Sequence, residues 1–147
     1  MLKHSFIDYN KNKRVFEVNP NQKDLLDVIE NVYKAQPLKV NKPNTTPAIC
    51  YRFKNEVEIG LVLNRLSVTI YLNEQTKDSI LKKCDSEIKN LLKKVMADPK
   101  AMKVMGNVNS FINGEITKKL NATSNNLVFR ISKIDHSTAK KLLSYIS

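Results

Sequence analysis

Glu56–Leu72, EVEIGLVLNRLSVTIYL, carries the most regular β signal in the chain. Val57, Ile59, Leu61 and Leu63 fall at alternate positions, and Leu66, Val68, Ile70 and Leu72 do the same. A period of two puts alternate side chains on one side of a strand, so each run predicts a strand with one buried face. With Asn64-Arg65 as a two-residue turn, Leu63 faces Leu66, Leu61 faces Val68, Ile59 faces Ile70 and Val57 faces Leu72. Every large apolar residue except Val62 and Tyr71 then lies on one face, so a one-residue slip would put the whole row in water.

Upstream, Ile49, Tyr51 and Phe53 alternate within Ala48–Lys54. A short connection, Lys54-Asn55-Glu56, pairs Phe53 with Val57, Tyr51 with Ile59 and Ile49 with Leu61. Two registers that agree on one face predict a three-stranded meander. That face needs a cover.

The cover is expected downstream. Asn73 suits a helix N-cap. Ile80, Leu81, Cys84, Ile88, Leu91, Leu92 and Val95 then recur at helical steps. Asp98-Pro99 reads as a stop and a new start, and Met102, Met105, Val108, Ile112, Ile116 and Leu120 continue the stripe. Two helices of roughly 30 Å joined by a short link form an antiparallel hairpin. Leu127–Ile134 alternates as a last strand, with Leu127, Phe129 and Ile131 inward. Asp135 caps a final helix whose face is Ala139, Leu142, Leu143 and Ile146.

At the start of the chain, Ser5–Tyr9 and Arg14–Val18 read as a hairpin with Ile7 opposite Phe16 and Ser5 opposite Val18. Asn19-Pro20 is a cap followed by a first-position proline, with Asp24 near the positive end of the helix dipole. Leu25, Leu26, Ile29, Val32 and Tyr33 form its apolar stripe, the helix ends near Ala35, and Gln36–Pro47 reads as a loop. The expectation is one α+β domain over residues 1–147, an antiparallel β-meander covered by a long helical hairpin, in the order ββ-α-βββ-αα-β-α. At 41% hydrophobic content the chain has material for a real core.

Charge is the main functional signal. The chain carries 25 Lys and Arg against 14 Asp and Glu, a net +11. Most of the excess lies in residues 77–103, with eight lysines against four acids, and 118–147, with six cations against one. Lys82, Lys89 and Lys93 share one side of the first long helix, and Lys118, Lys119, Arg130, Lys133, Lys140 and Lys141 extend the surface if the C-terminal elements pack nearby. Such a surface suits nucleic acid or an acidic protein face, through phosphate contacts of low sequence preference. The competing reading is a solvated lysine face interspersed with Asp78, Asp85 and Glu87. Arginines for reading guanine and aromatics for base stacking are sparse, because Tyr51, Phe53 and Phe129 fall at core positions.

Other chemistries are weaker. The order α-βββ-α-β is compatible with a nuclease core, but the strand Arg65–Leu72 lacks the required acid and lysine, which leaves Glu56 and Glu58 as the solvent end and face of a strand. Cys50 and Cys84 have no metal-ligand spacing and read as reduced thiols; Cys50 would need His4 or His136 nearby to act as a nucleophile. No phosphate-cradling glycine loop occurs, no cofactor is implied, and no apolar run approaches the roughly 18 residues of a membrane span. The N-terminus lacks a signal-peptide apolar core, so the expected location is cytoplasmic. These features predict a small, basic, non-enzymatic binding protein. The alternative is a protein–protein interaction or inhibitor protein that uses a sheet edge or a tip bearing Met96, Met102 and Met105. The Lys- and Asn-rich composition suits a phage or mobile-element accessory protein.

Overall fold

A computed structural model describes residues 2–41, 48–98, 102–104 and 127–146. The fold is α+β. The elements are β1 (Leu2–Ile7), β2 (Lys13–Val18), α1 (Pro20–Asp27) with a π-helical turn (Val28–Val32), β3 (Gln36–Asn41), β4 (Ala48–Arg52), β5 (Glu58–Leu63) and β6 (Val68–Asn73). Then follow α2 (Glu74–Lys83), α3 (Ser86–Ala97), β7 (Met102–Val104), β8 (Leu127–Ile134) and α4 (His136–Ser144). β1 and β2 form their own two-stranded sheet, and the rest make an antiparallel sheet ordered β3-β4-β5-β6-β8-β7.

The inner face of the larger sheet is the predicted one. Ile49, Tyr51, Ile59, Leu61, Leu63, Val68, Ile70, Leu72, Phe129 and Ile131 are buried there against the four helices and the first hairpin. The β4–β5 register matches the expectation, with Ile49 opposite Leu61 and Tyr51 opposite Ile59. Its turn closes by Phe53 N–H to Val57 O at 2.8 Å, with Glu56 in the left-handed region at φ 68°.

The β5–β6 register differs. Leu63 pairs with Val68, Leu61 with Ile70 and Ile59 with Leu72. Asn64-Arg65 has no glycine for a two-residue turn, so the chain uses Asn64–Ser67, closed by Asn64 N–H to Ser67 O at 3.0 Å. The slip is by two residues, an even number, so the buried row survives and only Leu66 leaves it, 83% exposed.

The first hairpin slips by an odd number. His4 faces Phe16 and Leu2 faces Val18, which turns His4 and Phe6 inward and Ile7 outward. The cause is Asp8. Its carboxylate accepts the N–H groups of Asn10 and Asn12, both at 2.9 Å, and the Arg14 Nε–H at 3.0 Å, closing the turn earlier than expected. Lys11 takes the left-handed position at φ 69°.

Asn19 caps α1 as expected. Its side chain accepts from Gln22 N–H while Gln22 returns a bond to the Asn19 N–H, a capping box. The predicted loop after it is a strand in part. Gln36–Asn41 forms β3 at the sheet edge, where Pro37 needs no ladder donor, and a bulge sits between Pro37 and Lys39. Leu38 is buried on the outer sheet face with Ala48, Cys50, Tyr71 and Val128. Gly60 lies between Cys50 and Tyr71 in the register and leaves space on that face where a side chain would crowd them.

The long first rod is two helices. Asn73 caps α2 as expected, but Cys84 is extended at ψ 159° and Asp85 starts α3 by accepting from Ile88 N–H at 3.1 Å. The apolar period runs across this break, so periodicity alone reads as continuous. Met102–Val104, expected in a second rod, is β7 and pairs with Leu127–Phe129 of β8. The rest of that predicted helix lies outside the described residues, and the described cover is made by α1–α4. β8 has the predicted bounds. A bulge opposite Thr69, with Lys133 left-handed at φ 53°, returns Ile134 to the core side after Ile131. Asp135 caps α4 through Thr138 N–H at 2.6 Å, and Ala139, Leu142, Leu143 and Ile146 are buried as predicted.

Candidate functional site

The predicted cations divide into three groups. Lys82, in the last turn of α2, and Lys89 and Lys93, one turn apart on α3, are exposed. Among the described residues their ammonium groups make no hydrogen bond or ion pair. Lys94, which spacing from Lys82 did not single out, is likewise exposed on α3. Lys118 and Lys119 lie outside the described residues.

The second group is engaged inside the protein. Lys140 pairs with Asp24, tying α4 to α1. Lys141 pairs with both Asp85 and Glu87, the acids at the start of α3. The two carboxylates push the Lys141 ammonium pKa well up. Lys141 holds the Asp85 carboxyl below its ordinary value, with a further contribution from Ile88 N–H. Asp24, expected near the α1 N-terminus, lies beyond the first turn and instead clamps a tertiary contact, and Lys140 and Lys141 are turned toward acids rather than toward one outward field with Lys89 and Lys93.

The third group sits on β8. Arg130 is half-buried and Lys133 is exposed at the bulge. A groove of about 210 Å³ between β8 and the C-terminal half of α3 is lined by residues that include Lys94, Asp98 and Arg130.

Several other expectations change. Glu58 is buried at 6% exposure and pairs with Arg52 at 3.3 Å, so it is not a solvent-facing strand residue. His4 is also buried, and its ring nitrogens face Glu30 at 2.9 Å and Lys23 at 3.3 Å, not Cys50. Tyr51 donates its hydroxyl to the same Glu30 carboxylate at 2.6 Å. Burial, then the negative Glu30, pushes the Tyr51 phenol well above its ordinary value. Sequence reading missed this network because its members lie on three separate elements. Lys77 is a buried lysine at the start of α2, paired with Asp78 at 3.0 Å, with its ammonium 4.6 Å from the Phe129 ring centroid. Met96 packs partly buried against the core, and Met105 lies outside the described residues. Among the described residues no group of three His, Cys, Asp or Glu is placed to hold a metal, and no helix is long and apolar enough to cross a membrane.

Titration gives a first expected result. Burial, then the nearby Lys140, lowers the His136 pKa, and its Nε2 is buried with no hydrogen-bond partner among the described residues. The Asn12 N–H, aided by Arg14, lowers the Asp8 carboxyl, and the Thr138 N–H lowers Asp135. A pKa depressed by folding stabilises above the unfolded value, and that stability is lost as pH falls through the folded value. The melting temperature should therefore drop in two stages on acidification: one below the ordinary imidazole value of 6.5, the other below the ordinary carboxyl value of 3.8. His136→Gln should shrink the first stage and leave the second, as followed by circular dichroism.

Compared with protein-family models, with curated proteins and with solved structures, the chain matches none.

Proposed function

We propose that this is a small, non-enzymatic binding protein that engages nucleic acid through the lysine face of α2 and α3. One observation carries this: Lys82, Lys89, Lys93 and Lys94 are exposed without an acidic partner among the described residues, while Lys141 occupies the neighbouring acids Asp85 and Glu87. Asp85 and Glu87 are therefore directed at Lys141 rather than at the cations of α3, which are left for an external anion. Phosphates spaced along a polymer match lysines one turn apart on a helix, and release of condensed counterions supplies the affinity. Neither α2 nor α3 carries an aromatic residue, which favours backbone contact over base stacking.

The test is binding of the full chain to fluorescent duplex and single-stranded oligonucleotides at about 50 mM salt, where phosphate-driven association is strongest. Wild type should bind both. Lys89→Glu with Lys93→Glu should weaken binding by about 10- to 100-fold, because two attractive contacts become repulsive. Absence of binding by the wild type at this salt would remove the proposal. Docking on another protein is the second reading, supported by Ile7 at 61% and Tyr9 at 57% exposure on the first hairpin. It predicts a partner retained in cell extract after nuclease treatment.

A further inference from the structure

We propose that residues 105–126 of this chain pack across the outer face of the larger sheet. The inference stands on burial and does not depend on the nucleic-acid reading above. Leu38, Ala48, Cys50, Tyr71 and Val128 form a second apolar cluster on that face. Among the described residues no helix contributes to it, because α1–α4 all pack into the cluster on the inner face. Even so, Val128 is 0%, Tyr71 4% and Cys50 5% exposed. β6 is buried at every position from Val68 to Asn73, the pattern of a strand covered on both sides rather than on one. An apolar sheet face buried to this degree has another layer over it.

That layer belongs to the chain itself, since these exposures are those of one chain on its own. Outside the described residues, the stretch 42–47 has six residues and joins β3 to β4, whereas 105–126 has 22 and joins β7 to β8. β7 and β8 are adjacent and antiparallel, with Val104 opposite Leu127, so a direct turn needs only about two to five residues. A far longer connection that starts and ends at one point has the length to cross the sheet and come back. At about 1.5 Å per residue, residues 106–120 as a helix reach about 22 Å, and an extended 121–126 returns about 20 Å. The outer cluster runs from β8 to β3, four strand spacings or about 19 Å. The sequence supplies the matching surface, since Met105, Val108, Ile112, Ile116 and Leu120 recur at helical steps. Gly60, between Cys50 and Tyr71 in the register, leaves room for one of these side chains. The placement carries Lys118 and Lys119 to the side of the sheet opposite α3, outside the lysine face of α2 and α3.

Cys50 is the reporter for the test. Its thiol is in no disulfide and lies under the proposed layer, and Cys84→Ser in the full chain leaves it as the one thiol present. Reaction of this parent with the disulfide reagent DTNB should be slow. Ile112→Asp with Ile116→Asp should raise the Cys50 rate at least about tenfold, because a charged stripe no longer packs on the sheet and the thiol meets the reagent. Far-ultraviolet circular dichroism checks that the rest of the fold persists. A second measurement needs no disruptive substitution: in the unsubstituted chain, the methyl groups of Ile112 or Ile116 should show NOEs to the Tyr71 ring or the Val128 methyls. An unchanged Cys50 rate in the folded double variant overturns the placement, and if that variant does not fold, absence of these NOEs overturns it. A parent rate that rises on dilution assigns the layer to a second copy of the chain and also overturns it.

Discussion

Glu30→Ala should lower the unfolding free energy by about 3 kcal/mol, since each buried donor left unsatisfied costs about 1–3 kcal/mol. Glu30 Oε2 accepts the Tyr51 hydroxyl at 2.6 Å and the His4 Nε2–H at 2.9 Å. Tyr51 is 0% and His4 2% exposed, so both donors lose their acceptor in a buried setting. A carboxylate only accepts, which puts the histidine proton on Nε2 and leaves Nδ1 to accept from the Lys23 ammonium at 3.3 Å. Lys23 in turn pairs with Asp27 at 3.1 Å. The chain of contacts joins β1, α1 and β4, so the loss is tertiary. Glu30→Gln keeps an acceptor oxygen and should cost about 1 kcal/mol, and Tyr51→Phe should also cost less than Glu30→Ala because it leaves no buried donor behind. Urea denaturation of the three variants checks the order. Equal costs for Glu30→Ala and Glu30→Gln would mean that the network carries no weight.

The second large effect separates two registers. Leu61→Ala should destabilise by about 3 kcal/mol, in the range measured for fully buried leucines, because Leu61 is 0% exposed opposite Ile70. Leu66→Ala should stay within about 0.5 kcal/mol, as for surface positions generally. The two-residue turn that the alternation suggests would have buried Leu66 opposite Leu63 and made the two substitutions comparable. Thermal and urea unfolding of this pair decide between the turns.

The same contrast shows what was legible in the sequence. Period-two alternation reports which face a residue takes, and that face held through Ile59, Leu61, Leu63, Val68, Ile70 and Leu72 even where pairing slipped by two. Pairing itself depends on the loop, and the loop is held by distant groups. Asn19 Nδ2 donates to Arg65 O at 2.7 Å and Gln22 Nε2 donates to Asn64 O at 2.9 Å, so the α1 capping box also anchors the β5–β6 turn. No local pattern carries that information. In the first hairpin the Asp8 carboxylate decided the turn, and the odd slip it caused reversed one strand's faces. Helix starts were legible where an Asn or Asp cap stood at a change of pattern, as at Asn19, Asn73 and Asp135. Asp85 was passed over because Cys84 and Ile88 keep helical spacing across the break.

For the candidate site, spacing along one helix was enough to find Lys89 and Lys93, because exposure on an amphipathic helix follows its period. Which acids neutralise which lysines was not legible. Lys140 meets Asp24 and Lys141 meets Asp85 and Glu87 only after α4 packs back against the earlier helices. The groove lined by residues of α3 and β8 is likewise a product of α3 lying beside β8.

The most direct test of the proposed lysine face is the salt dependence of duplex binding by the wild type and by Lys89→Gln with Lys93→Gln. Each phosphate contact contributes about 0.9 to the slope of log affinity against log salt, so the double variant should lose about 2 units of slope with little change in sequence preference. An unchanged slope in the variant would contradict the assignment of nucleic-acid binding to α3.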